Sequence, residues 1–240
     1  MKILVMKFGG TSVAGIKRII KVASIIEKET RNYKIIAVLS AMSGVTNDLQ
    51  KYIDEIGINN TSDSDLVITS GEQVSVGLLS MILNKMNIKS LSMLGWQLPI
   101  ITDDSYGKAR ILKIENKILL DHLKSADVIV VAGFQGVDIN GNITSLGRGG
   151  SDTTAVAVAA AVDADRCDIY TDVDGVYSTD PDIDYTAKKI DKIAYEEMLE
   201  MASMGAKVLQ TRSVELAMKN NLPLQVLSSI TNSSGTMIIN

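Results

Sequence analysis

The chain has 240 residues, of which 46% are hydrophobic, 22% charged and 4% aromatic, enough apolar content to bury a sizeable core and to exclude disorder, collagen or a small disulfide scaffold. Its 24 basic and 28 acidic side chains leave a net charge of −4, which argues against coating nucleic acid or anionic lipid and leaves room for small, locally charged ligands. With a single cysteine, Cys167, and a single histidine, His122, neither an internal disulfide nor a structural zinc site is expected, and a reducing cytoplasm fits.

The first apolar run, residues 3–8, passes directly into Lys7 and two glycines. It is too short for a signal peptide or a membrane span and predicts a first buried strand. Residues 16–28 follow as a helix with Ile19, Ile20, Ala23 and Ile26 on its apolar side. A second strand is predicted at 35–39; the polar stretch 59–64 reads as a loop, and Asp65 as the cap of a long helix ending near Met86. Further strands are predicted at 89–94, 128–132, 168–171 and 223–227, a hairpin about Asn140-Gly141 between Val137 and Ile143, and a buried Ala/Val helix at 156–162. Continuous apolar strands alternating with helices predict a three-layer α/β/α sandwich around a mostly parallel sheet, as one domain over residues 1–240. Ligands of such sheets bind at the carboxyl ends of the strands.

Four segments fall at such ends. Lys7-Phe8-Gly9-Gly10-Thr11-Ser12 offers backbone N–H groups and an ammonium to an anion, or is simply a tight turn with a snorkelling lysine. It is not a P-loop, because Gly15 is followed by Ile16-Lys17-Arg18. Ser40 to Thr46 brings hydroxyls and a glycine, for a ligand or for capping by Thr46 or Asn47. Gly147-Arg148-Gly149-Gly150-Ser151-Asp152 joins a guanidinium, a hydroxyl and a carboxylate at one helix start, more than a cap requires. Thr171 to Pro181 carries carboxylates suited to a metal or ribose hydroxyls and Tyr177 to pack on a base, or Asp-Gly and Asp-Pro turns; an EF-hand is excluded by spacing.

These segments, with Ser70-Gly71-Glu72-Gln73, Gly133-Phe134-Gln135-Gly136 and Gly205-Ala206-Lys207-Val208-Leu209, together resemble the aspartate kinases of the amino-acid kinase family over nearly the whole chain. The resemblance implies a sheet of about eight strands. It implies ATP-dependent phosphorylation of the side-chain carboxylate of L-aspartate to 4-phospho-L-aspartate, the first step towards lysine, threonine and methionine. Lys7, Asp152 and Lys207 are then the catalytic residues, the lysines on phosphate and Asp152 orienting them. Arg148 would take the α-carboxylate of aspartate and Glu72 its α-ammonium, with Ser40, Thr46 and Ser151 supplying hydroxyls. ATP would contact Lys7, Phe8, Gly9, Gly10, Ser12, Thr171, Asp172, Tyr177, Lys207 and Val208. Magnesium would come with ATP, held mainly by phosphates, with no protein metal site.

Two departures stand out. Gln210-Thr211 occupies positions where aspartokinases usually have His-Pro, and Asp182 follows Asp-Pro where Arg or Asn is frequent. They motivate the alternative of a non-catalytic binding or regulatory subunit. A sibling kinase acting on acetylglutamate, glutamate or UMP is disfavoured by Glu72, which suits a free ammonium. A cytoplasmic homodimer is expected, without nucleic-acid or membrane partners. The chain stops where aspartokinase kinase portions end, so no ACT-type regulatory module and insensitivity to lysine and threonine are expected, unless a separate regulatory chain is a partner. His122 reads as a surface residue, Cys167 as inert, and Met198, Met201 and Met204 as core.

Overall fold

The computed structural model describes residues 1–181, 183–205, 208–231 and 233–240. In chain order the elements are β1 (Ile3–Phe8), α1 (Ile16–Glu29), β2 (Lys34–Leu39), α2 (Val45–Ile56), α3 (Ser62–Ile68), α4 (Ser70–Lys85), β3 (Ser90–Met93), β4 (Ile100–Thr102), β5 (Ile111–Ile114), α5 (Asn116–Leu123), β6 (Val128–Ala132), β7 (Gln135–Val137) and β8 (Ile143–Ser145). There follow α6 (Gly150–Ala161), β9 (Arg166–Thr171), β10 (Val176–Tyr177), β11 (Lys189–Ile190), β12 (Lys192–Ile193), α7 (Tyr195–Ser203), α8 (Thr211–Lys219), β13 (Leu224–Ser228) and β14 (Thr236–Ile238).

Among the described residues the main sheet has eight strands in the order β12-β14-β13-β9-β1-β2-β6-β3. The six strands from β13 to β3 pair in parallel, while β14 runs antiparallel to β13 and carries β12 beside it. The side-chain period of two divides β1 between two cores. Leu4, Met6 and Phe8 pack with Ile19, Val22, Ala23 and Ile26 of α1 and with Val76, Leu79 and Leu83 of α4. Ile3 and Val5 pack on the opposite side, with Ala155, Val156, Val158 and Ala159 of α6 and with Val214 and Ala217 of α8. The mostly parallel α/β/α sandwich expected from the alternating runs is therefore present. Each wholly buried Leu, Ile or Phe contributes roughly 1.5–3 kcal/mol by leaving water.

The hairpin signal is also realised, with Gln135 opposite Ser145 and Val137 opposite Ile143. It belongs to a smaller sheet, β5-β4-β7-β8, whose strands β4 and β5 the reading of apolar runs passed over. They are short, and Leu112 and Lys113 are exposed, so no continuous apolar run announces them.

The long helix expected from Asp65 to Met86 is two helices that meet at Thr69. Thr61 caps α3 in a box with Ser64, and Asp65 lies inside the first turns, buried. Within residues 62–85 an 18-residue window reaches a mean hydropathy of 1.5, as a membrane span can, yet half of that window is buried within the protein. Thr46 and Asn47 are not caps either: α2 starts after Gly44, at φ 90°, with no side-chain cap. His122 is exposed near the end of α5. Cys167 is buried within β9, and burial raises its thiol well above the usual range. Met198 is core, Met201 packs at the core's edge, and Met204, expected inside, is exposed.

Candidate active site

Lys7 shares the α6-facing side of β1 with Ile3 and Val5, at the strand's carboxyl end. Only 9% exposed, it needs a partner. Its Nζ lies 2.6 Å from Oδ1 of Asp152, in the first turn of α6. That helix start sits hard against the strand ends, since a Cβ on Gly133 would stand 2.8 Å from Ser151 Oγ and 3.0 Å from Leu39 O.

The turn before α6 requires glycine twice. Gly147 and Gly149 both have φ 71°, and a Cβ on Gly149 would lie 2.1 Å from Gln210 Cγ. The turn, closed by Gly150 N–H donating to Gly147 O at 2.9 Å, leaves Arg148 exposed and without an ion-pair or hydrogen-bond partner among the described residues. Gly149, at the N-cap, brings no side-chain cap, so the Ser151 and Asp152 amides in the first turn of α6 can join the guanidinium as anion donors.

Across the cleft, Gly71 lets the start of α4 come against the loop after β2, because a Cβ there would meet Ala41 Cβ at 2.7 Å. The next residue, Glu72, is 2% exposed; its Oε1 accepts Ala41 N–H at 3.0 Å, and its Oε2 has no hydrogen-bond partner among the described residues. Burial pushes its carboxyl up to about 7, with the Ala41 N–H pulling the other way. Lys7, Ser40, Thr46, Glu72, Arg148, Ser151 and Asp152 thus line one cleft of about 490 Å³.

Other sequence-named residues tie the neighbouring loops together. Gly9 N–H donates to Tyr170 O at 3.2 Å, and the Ser12 and Ser229 hydroxyls meet at 2.7 Å, joining the loops after β1 and β13. Gly10 allows its loop to approach Ala41 O, which a Cβ would meet at 2.9 Å. Phe8, expected beside the nucleotide, is wholly buried with its ring stacked on Tyr170 at 4.7 Å, so it supports the loop from within. Thr171 Oγ1 donates to the exposed Asp172, and Tyr177 Oη donates to Asp174 Oδ1 at 2.8 Å. Val208 is half-buried against the α6-side core. Lys207 and Asp182 lie outside the described residues.

The sequence model of the Amino acid kinase family matches residues 2–228. The chain belongs to that family. This amino acid kinase is 52% identical to the aspartate kinase of Pseudomonas fluorescens over 99% of its own length and 59% of that protein's. Among solved structures it resembles E. coli aspartokinase III in complex with aspartate and ADP (TM-score 0.89, 30% identity, 100% of this chain, 65% of that one). It also resembles the aspartate kinase from Synechocystis (TM-score 0.88, 41% identity, 99% of this chain, 39% of that one). The chain thus spans about six-tenths of the length of the Pseudomonas relative (59%).

Some cleft residues escaped the sequence reading. Asn59, Asn60 and Ser64 line it, although the stretch 59–64 reads as a plain loop; its density of amides and hydroxyls is the signal that was there. Phe134 also lines it, held at φ 68° by N–H donation to Thr154 Oγ1 at 3.1 Å. A bulky residue in the left-handed region is strained, and such strain gathers at functional sites. Asp65, expected as a cap, lines the same cleft. Burial pushes its carboxyl up, while N–H groups of Ser145 and Gly107 and the Ser145 hydroxyl hold it back.

Proposed function

We propose that this chain carries the aspartate kinase reaction, moving the γ-phosphoryl group of ATP to the side-chain carboxylate of L-aspartate to give 4-phospho-L-aspartate and ADP. The observation that carries the reading is the cleft itself: a guanidinium and one oxygen of a buried carboxylate, both without a partner among the described residues, flank a lysine-aspartate pair. That is a receptor for an amino acid's two α-substituents beside a positive charge for phosphate. The aspartate kinases among its relatives, one of them in complex with aspartate and ADP, support the same substrates.

The acceptor is already ionised, so no general base is required, and the chain's task is to position groups and neutralise charge. Arg148 pairs with the α-carboxylate in a bidentate fork, Glu72 Oε2 accepts from the α-ammonium, and Ser40, Thr46 and Ser151 direct hydroxyls at the bound acid. Lys7, steered by Asp152, neutralises charge on the transferred group, with Lys207 as a second cation. Gly9, Gly10 and Ser12 form the phosphate loop braced by Phe8, and Thr171, Asp172, Tyr177 and Val208 flank the nucleotide. Magnesium would come with ATP, held mainly by its phosphates and water. When bound, that ion supplies charge neutralisation on the phosphates. The working form is a cytoplasmic homodimer.

Aspartate-dependent ADP release with hydroxamate trapping of the acyl phosphate tests the reading. Hydroxamate is the expected result. No product with aspartate at saturating MgATP, together with calorimetric binding of either ligand, would make the chain a non-catalytic binding subunit instead.

A further inference from the structure

Asp65 is 2% exposed and has no cation against it among the described residues, yet it gathers donors from two separate segments. Oδ2 accepts the Ser145 N–H at 2.7 Å and Oδ1 accepts the Ser145 hydroxyl at 2.9 Å. The Gly107 N–H is shared between both oxygens at 3.0 Å. A buried carboxylate satisfied by neutral donors alone is costly to keep. A helix cap would not need it, since Thr61 and Ser64 already cap α3.

What it grips are the roots of the Arg148 turn. Ser145 ends β8, three residues before Arg148. Gly107 belongs to the loop that abuts Gly147, where a Cβ would stand 3.0 Å from Gly107 O, and Ala109 N–H donates to Ser145 O at 2.8 Å. The backbone of Asp65 reaches the other side of the cleft. Its carbonyl accepts both the N–H (3.2 Å) and the hydroxyl (2.8 Å) of Thr69, the joint from which α4 and Glu72 begin. Gln135 Nε2 donates to Thr69 O at 3.1 Å and fastens that joint to β7. One residue therefore holds both the arm that ends in Arg148 and the arm that ends in Glu72.

We propose that Asp65 is a positioning residue that sets the separation of Glu72 and Arg148, and so the length of amino acid the cleft accepts. The inference rests on the proposed roles of those two residues. Asp65 does not touch the substrate; it acts through the two arms.

The test is Asp65→Asn in the whole chain, which keeps the volume and replaces one acceptor oxygen with a donor. The KM for aspartate should rise about tenfold, with the KM for ATP within about twofold, because a small displacement of a binding arm is enough to cost that much. Discrimination between aspartate and glutamate should narrow. Hydrogen exchange should quicken at the amides of residues 147–149, which Asp65 does not contact. Ser145→Ala, which removes only the hydroxyl donor, should move the same quantities in the same direction by less, and it decides the matter if Asp65→Asn does not fold. A lower melting temperature with both KM values unchanged, or with both raised equally, overturns the proposal and leaves Asp65 a purely structural group. If the unaltered chain shows no turnover with aspartate, the functional reading fails by itself; exchange at residues 147–149 then judges the positioning, and unchanged exchange overturns it.

Discussion

The cleft and the segment 171–177 are built on different physics. The cleft, with Glu72 and Arg148, stands on helix starts and strand ends, braced by glycines that no Cβ could replace and by the buried carboxylate of Asp65. Thr171, Asp172 and Tyr177 sit at the end of β9, in the turn after it and in β10, and their polar side chains pair locally, as Tyr177 does with Asp174. The cleft pays for its shape in desolvation, with a carboxyl pushed up to about 7 by burial. The segment 171–177 leaves its groups partly exposed, where each contact is worth less and adapts more readily. Under the proposed function, selection among amino acids belongs to the rigid cleft, and the segment 171–177 contributes affinity for a nucleotide in small increments.

That contrast can be broken in order of size. Lys7→Ala removes the cation of the pair with Asp152 and should lower kcat by about 10²–10³-fold, the scale for losing one preorganised donor to a transition state, with far-ultraviolet circular dichroism unchanged. Equal activity would place the phosphate elsewhere. Arg148→Ala should raise the KM for aspartate by about 10–100-fold through loss of a charge-assisted fork, with the KM for ATP hardly altered in steady-state kinetics.

Glu72→Gln should weaken aspartate binding and yet stabilise the fold at neutral pH. In the native protein Glu72 keeps its proton to about 7, above its ordinary value of 4.5. The folded state therefore binds more protons between those values, and the native chain loses stability as pH rises through that window. Removing the charge should gain up to roughly 3 kcal/mol at pH 8 and nothing at pH 4, read as the difference in thermal midpoints across pH. A pH-independent difference would mean that Glu72 is not desolvated. The smallest effect belongs to the segment 171–177: Tyr177→Phe should raise the KM for ATP by no more than about fivefold, as expected for one partly buried hydrogen bond to Asp174.

Legibility followed the same division. β1, β2 and β6 are apolar apart from Lys7 and Lys34 because helices cover both faces, so their limits fall almost where the apolar runs do. The glycine turn at 147–150 was visible because two left-handed positions and a close approach leave no other residue type. The Asp65 carboxylate was misread as a cap because an aspartate near a helix start looks the same whether its oxygens turn to its own helix or to Ser145, eighty residues later in the chain. The break at Thr69 went unseen for a related reason. No glycine or proline marks it; it is held by bonds from Thr69 to Asp65 and from Gln135 to Thr69.

By itself the sequence determined the layered α/β architecture, the glycine turns and the types of charged group available, because periodicity and backbone permissiveness are local properties. Which charges meet was decided only in three dimensions. Lys7 faces Asp152 because strand alternation and the seat of α6 agree. Glu72 keeps an oxygen unpaired among the described residues because packing of α4 on the loop after β2 buries it and brings it no described cation. Charge in a protein is tuned by desolvation and distance, and both are properties of the assembled chain.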